Sequence, residues 1–300
     1  MRTFNDNIRK NPEVFRENRM DAHSDHKYYT SYAAYESGNN DFYYSLNGLW
    51  KFAYAKNPNC TIPGFEAVEY DCSTWDDIRV PAHIQMEGYD VPAYVNVQYP
   101  WDGREEIVPS QIPEAFNPVG SYVKDIEIPA DWKGNPVYIS FQDAESSLTL
   151  WCNGAYVGYS EDSFTPAEFD LTPYLKEGRN KLAVQVLKWA AGSWCEDQDF
   201  YRFSGIYRDV YLYTVPKVHI TDLKVKTLLN DDYTRGTLLL DLKANMTGKV
   251  KVHLQADNTL CGEIQCLLVS CMTLRSLSDC FRCLPEHLPK KIRLNKPHRS

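Results

Sequence analysis

The sequence predicts an all-β protein, a jelly-roll β-sandwich followed by an incomplete immunoglobulin-like sandwich. Three observations carry this prediction. From about Leu46 the apolar residues fall in short runs rich in Val, Ile, Tyr and Trp, each bounded by Gly, Pro, Asn or Asp, as half-buried strands require. No long 3.6-residue apolar period competes with them. The 21 Tyr and 7 Trp supply amphipathic rings that suit such strands.

Residues 1–45 precede the first of these runs and read as an extended N-terminal segment. Residues 46–216 carry LNGLWKFAY, DIRVPA, SYVKDIEIPA, PVYISFQDA, LTLWCNG, AYVGYS, KLAVQVLKW and IYRDVYLYTV. Asn153-Gly154, between LTLW and AYVGYS, is the strongest hairpin signal, because a type I′ turn needs positive φ at both central residues. Glu177-Gly178-Arg179-Asn180 marks a second turn before KLAVQVLKW. Long irregular insertions, such as residues 83–120 with eight Pro or Gly, fit a two-sheet sandwich of jelly-roll type. Trp50, Trp151 and Trp189 lie within or at the end of strand runs and are expected in the core rather than on a binding surface.

A second unit, residues 217–260, reads as three strands: VHITDLKVKTLL, GTLLLDLKAN and KVKVHLQAD. An immunoglobulin-like sandwich needs about seven, and three strands leave open edges. From Cys261 the composition changes. The last forty residues hold five of the nine Cys, seven Lys or Arg against three Asp or Glu, and no Tyr or Trp. The first 260 therefore carry a net charge of −12 against −8 for the whole chain. Cys280-x2-Cys283-x3-His287, with Cys266 and Cys271 upstream, is loosely zinc-like, but the second pair of a structural site is missing. Residues 261–300 are read as an unstructured tail, non-homologous to what precedes it and produced by a frameshift.

The acidic balance argues against a nucleic-acid partner. No run of 18 apolar residues suggests a transmembrane helix, and MRTFNDNIRKNPEVFRENRM has no apolar h-region, so the expected location is the cytoplasm. The densest chemistry lies in Glu196-Asp197-Gln198-Asp199-Phe200-Tyr201-Arg202, where three carboxylates and an arginine sit among aromatics. Buried charge is costly unless paired, so this stretch is either an ion-pair network or a polar ligand site. Glu161-Asp162 is a close carboxylate pair, but adjacent residues of a strand point to opposite faces, which argues against a catalytic dyad.

Asn11-Pro12 with Arg19 and His23, LNGLWKFAY, VPAHIQMEGYDVPAYVNVQYP, NPVGSYV, LWCNGAYVGYSEDSFTPAEFDLTPYL, LAVQVLKW and EDQDFYRFSGIYRDVYL follow in that order. Together they resemble the N-terminal part of β-galactosidases of glycoside hydrolase family 2, over residues ~10–258. The resemblance implies a galactose-binding-like jelly roll, then an immunoglobulin-like domain, then a TIM barrel that carries the catalytic glutamates of a retaining enzyme. It also implies that Asn96, with Val97 beside it, and Asp199 contact galactose, and that Asp199 helps hold a sodium ion. An amide and a carboxylate suit a hydroxyl that both donates and accepts. On the residues alone, Asn96 capping a turn and Asp199 pairing with Arg202 or Arg208 are the simpler readings. The resemblance moves both to the pocket.

A barrel takes about 250 residues, and the two carboxylates of a retaining glycosidase stand about 5–5.5 Å apart. Only some forty residues follow the region of resemblance. The chain is therefore expected to be a truncated β-galactosidase, inactive alone. It would hold a partial sodium site and lack the ligands of the magnesium that the intact family enzyme carries. Two other functions are weighed beside this: a stand-alone module binding galactose or β-galactosides weakly, and an assembly piece that forms a homo-oligomer or complements a barrel-containing partner in trans.

Overall fold

The structure is a computed structural model that describes residues 4–109, 111–233, 235–256, 259–268, 277–282 and 290–295, with only the backbone described at residue 235 and from residue 255 onward. The chain forms two compact units, one of residues 1–21 and 43–214 and one of residues 22–42 and 215–300. The stretch read as a single N-terminal segment, residues 1–45, is thus shared between them. The strands of the first unit are β1 (Arg16–Glu17), β2 (Tyr43–Ser45), β3 (Gly48–Ala55), β4 (Asp76–Val80), β5 (Ala93–Val95), β6 (Val119–Glu127), β7 (Val137–Phe141), β8 (Ser147–Cys152), β9 (Ala155–Ser160), β10 (Ala167–Asp170), β11 (Arg179–Leu187), β12 (Phe200–Arg202) and β13 (Val210–Thr214).

These strands make an antiparallel seven-stranded sheet in the order β1-β9-β8-β11-β6-β3-β4 and an antiparallel four-stranded sheet in the order β10-β7-β13-β2. A core that includes Trp50, Phe52, Ile78, Tyr122, Ile139, Phe141, Leu150, Phe169, Val184 and Leu212 draws on both sheets. The expected hairpin turn is present: Asn153 and Gly154 have φ of +52° and +80° between β8 and β9. Trp50, Trp151 and Trp189 are all buried, in keeping with a core role.

In β11 every residue from Asn180 to Leu187 is buried, although a sheet with one solvated face should alternate. The reason lies on the outer face of the large sheet. There Val123, Trp151, Tyr156, Tyr159 and Ala183 form a second apolar cluster with Phe4, Ile8, Phe65, Tyr70 and Trp75, contributed by two separate segments. Arg9 enters this layer from a 3-10 helix, Asp6–Lys10. Its Nη2 donates to Gln185 Oε1 at 2.6 Å and Thr149 Oγ1 at 3.2 Å, and its guanidinium lies 4.6 Å from the Phe4 ring. Gly158 leaves the room that β1 needs, since a Cβ there would stand 2.6 Å from the Glu17 carbonyl oxygen.

In the second unit β14 (Ile220–Leu229), β15 (Arg235–Ala244), β16 (Gly248–Ala256), β17 (Thr259–Leu268), β18 (Leu277–Arg282) and β19 (Lys290–Asn295) form two three-stranded sheets, β14-β15-β18 and β17-β16-β19. Leu238, Leu240 and Leu242 alternate into a small core with Val252. Residues 22–28 run beside β14: Ser24 Oγ accepts from the Leu223 amide at 2.7 Å, and the Tyr28 hydroxyl donates to the Ile220 carbonyl at 2.6 Å. The short helix α1 (Tyr32–Ser37) is capped by Ser31, whose side chain accepts from the Ala34 amide, and ends at Gly38 with φ +74°. The backbone beyond Cys261 thus holds strands where the sequence shows no period. Pairing β16 on both sides gives its amides and carbonyls partners that an isolated three-strand set would leave open. Of the residues in the zinc-like reading, Cys271, Cys283 and His287 lie outside the described residues, and Cys266 and Cys280 are described by their backbone alone.

Candidate functional site

The two-stranded ribbon β5–β12 gathers the chemistry. Its register pairs Ala93 with Arg202, Tyr94 with Tyr201 and Val95 with Phe200. Asn96 and Val97 follow the last pair on one strand, and Asp199 precedes it on the other, so all three stand at the same end of the ribbon. All three are exposed, Val97 at 84%. Among the described residues Asn96 has no side-chain hydrogen-bond partner. Asp199 has a φ of +53°, a left-handed conformation that Asp tolerates better than most residues, and its Oδ1 accepts from the Tyr94 hydroxyl at 2.7 Å.

The ribbon is fixed at its base by two strand-like hydrogen bonds, Ile84 N to Ser204 O and Ala82 N to Ile206 O, both 2.9 Å. Gln85 locks the first of these. Its Oε1 accepts from the Ser204 amide, and its Nε2 donates to Asp90 Oδ2 at 2.8 Å. Lys188 Nζ reaches the same Asp90 oxygen at 2.6 Å, with both side chains buried. Beyond the ribbon, Tyr99 stacks on Trp101 with centroids 5.1 Å apart, and both rings pack against Trp194 of α2 (Ser193–Glu196). The Tyr99 hydroxyl donates to the Trp194 carbonyl at 2.9 Å. This packing ties the segment after Val97 to the segment that leads into Asp199. The carboxylate of Glu105 accepts from the amides of Glu114, Ala115 and Phe116 and so closes the long loop.

The two readings that would make Asp199 structural are not what the geometry shows. Arg202 is fully buried, with Asp197 Oδ1 at 3.8 Å as its ion-pair partner. Arg208 Nε lies 2.7 Å from Asp143. The stretch Glu196 to Arg202 therefore divides its roles. Asp197 and Arg202 are a buried charge pair, Glu196 accepts from the Ser163 amide and hydroxyl, and Asp199 is presented outward. Burial pushes the Asp197 carboxyl up to about 7, against the pull of Arg202. Burial also pushes Glu145 up to about 8, with the Asp197 charge adding to it and Lys188 opposing it.

Glu161 and Asp162 lie just past the end of β9 and diverge there, with Asp162 at a φ of +94°. Glu161 is buried, accepting from the Tyr159 hydroxyl and the Gly192 amide at 2.6 Å each, while Asp162 accepts from Thr165 Oγ1. The sequence did not single out Tyr94, Lys188, Asp90 or Glu145. Only Tyr94 left a signal there, through its alternation with Asn96 in AYVNV.

The donor set for a metal is small. Asp199 offers one hard oxygen, and among the described residues no group of three or more His, Cys, Asp or Glu converges on a metal position. These residues do not by themselves fit a sodium or magnesium site. No helix among the described residues is long and apolar enough to cross a membrane.

Residues 43–216 match the family model described as glycosyl hydrolases family 2, sugar binding domain. The chain is 52% identical over 245 residues to a β-galactosidase of Halalkalibacterium halodurans, covering 81% of this chain and 24% of that protein. It is 47% identical over 249 residues to a β-galactosidase of Clostridium acetobutylicum, covering 82% and 28%. Against a β-galactosidase large subunit of Leuconostoc lactis it is 42% identical over 244 residues, covering 77% and 39%. The chain thus spans about a quarter of the length of the first two relatives. Among solved structures, a β-glucuronidase 2 of Bacteroides uniformis shares the fold with a TM-score of 0.58 at 22% identity, over 78% of this chain and 27% of that one. A β-glycosidase from Bacteroides vulgatus matches at 0.58 and 25%, over 77% and 28%. With more than half of its residues matched by the family model and its two antiparallel sheets in place, the chain belongs to glycosyl hydrolases family 2, and residues 43–216 are its sugar-binding domain.

Proposed function

We propose that this chain is the N-terminal part of a β-galactosidase machinery and forms one wall of a pocket for a terminal β-D-galactose. Asn96 and Asp199 orient sugar hydroxyls, with Val97 packing beside them. The observation that carries this reading is the ribbon end, where an exposed amide and an exposed carboxylate meet from segments about a hundred residues apart. Asp199 also offers one oxygen toward a sodium ion whose other ligands come from outside the described residues.

The chain alone does not turn over a galactoside. A retaining glycosidase uses two carboxylates about 5–5.5 Å apart. At this site Asp199 is the exposed one, while Asp197 and Glu145 are buried behind it. A single wall buries few ligand atoms, so galactose binds at about millimolar strength or weaker. Titration of the isotope-labelled chain with galactose tests this. Shifts confined to the ribbon end, lost in Asn96→Ala and Asp199→Ala, are expected. A wild-type chain silent at high galactose concentration would remove the pocket reading. Hydrolysis of an aryl galactoside above a mock preparation would remove the claim of inactivity.

Relatives named β-galactosidase large subunit favour a second role beside the first, as an assembly piece that restores activity to a partner lacking its own N-terminal part. Mixing the two chains and finding no recovered activity would remove it.

A further inference from the structure

We propose that Tyr94 is a positioning residue that holds Asp199 in its left-handed conformation and leaves the second carboxylate oxygen for a ligand hydroxyl. The proposal rests on the reading of Asp199 as a sugar contact and adds the residue that sets its geometry. Tyr94 and Tyr201 are directly opposed in the ribbon, with ring centroids 5.3 Å apart. Each ring is more than half exposed, so neither is held by a core. The ring contact and the paired backbone of β5 fix Tyr94, and a tyrosine has only two χ angles to order. Its hydroxyl therefore reaches Asp199 Oδ1 at 2.7 Å at a small further entropic cost.

Asp199 needs such a partner. It is exposed, carries a φ of +53°, and follows the short helix α2, whose C-cap Asp197 has a φ of −97°. The buried guanidinium of Arg202 is ion-paired with Asp197. Fixing Oδ1 through a neutral phenol orients the carboxylate without an ion pair. The phenol in turn is pushed up from its usual range, chiefly by the bond to Asp199. A carboxylate bonded on one oxygen and open on the other can accept from a single hydroxyl in a defined direction.

Tyr94→Phe keeps the ring and its contact with Tyr201 and removes only the hydroxyl. On the labelled 300-residue chain, the backbone order parameter of Asp199 is expected to fall from a rigid value of about 0.85 to below about 0.6, with Ala93 and Arg202 unchanged. Galactose binding should weaken by about 3- to 10-fold, the worth of one hydrogen bond. In an Asp199→Ala background Tyr94→Phe should leave the order parameter of residue 199 unchanged, because Tyr94 acts through the Asp199 carboxylate. Two results overturn the proposal: Asp199 equally rigid in Tyr94→Phe, or a loss of order at residue 199 that persists in the Asp199→Ala background. If the wild type shows no response to galactose, the sugar reading fails by itself, and the order parameters still decide whether Tyr94 clamps Asp199.

Discussion

Replacing Lys188 by Met tests whether the site rests on a buried charge network. Lys188 Nζ lies 2.6 Å from Asp90 Oδ2, and the two side chains are 3% and 4% exposed. Met fills most of the lysine volume, so the substitution removes a charge with little change in packing. It leaves Asp90 buried with Gln85 Nε2 as its remaining side-chain donor. Removing one partner of a buried pair costs about 3–5 kcal/mol, a large share of the ~5–15 kcal/mol that stabilises a domain. At about 1.4 kcal/mol per decade, the unfolded fraction rises about a hundred- to several-thousandfold. Urea unfolding followed by tryptophan fluorescence reports on this unit alone, because all seven Trp lie between Trp50 and Trp194. The double variant Lys188→Met with Asp90→Leu removes both charges and should recover most of the loss. A single-variant cost below about 1 kcal/mol, the range of solvent-exposed pairs, would refute the burial and with it the claim that this network anchors the ribbon.

Stability of the first unit should fall as pH rises from about 5 to 8. Burial raises Glu145 to about 8, and Asp197 and Glu161 to about 7. The folded state therefore binds protons more tightly than the unfolded one, and the stabilisation present below the unfolded pKa is lost as pH passes the folded value. Melting temperatures across that range should show the decline, and Glu145→Gln should flatten it; a stability that rises with pH would contradict it. Gly158→Ala should cost about 1–3 kcal/mol by overpacking, because its Cβ meets the Glu17 carbonyl and the Phe169 ring at 2.6 Å. Hydrogen exchange should then show β1 detached from β9, and an unchanged β1 would count against the contact.

Much of the first unit was legible in the sequence because its signals are local. The turn at Asn153-Gly154 needs positive φ at two adjacent residues, and that requirement is written in the residue types themselves. By contrast, the buried run from Asn180 to Leu187 in β11 was not legible as a strand covered on both faces. Its cover comes from Phe4, Ile8 and the segment around Phe65 to Trp75, far away along the chain. The sequence predicts three strands in the second unit, while its described backbone carries six, and no hydrophobic period beyond Cys261 announces the rest.

At the site, the sequence by itself determined the residue types and the family they resemble, while the short strands β5 and β12 that carry them are not among its strand runs. Tertiary structure alone decided which of the three carboxylates between Glu196 and Asp199 faces outward. A carboxylate's role depends on burial and on which cation stands beside it, and neither is a property of its neighbours in the chain. Asp197 lies against Arg202, Glu196 caps Ser163, and Asp199 meets a hydroxyl from 105 residues earlier. Local sequence sets backbone period and turn geometry, because those are short-range sterics. The pairing of β5 with β12 is a long-range contact whose register exists only once both sheets have formed and fixed the two strand ends.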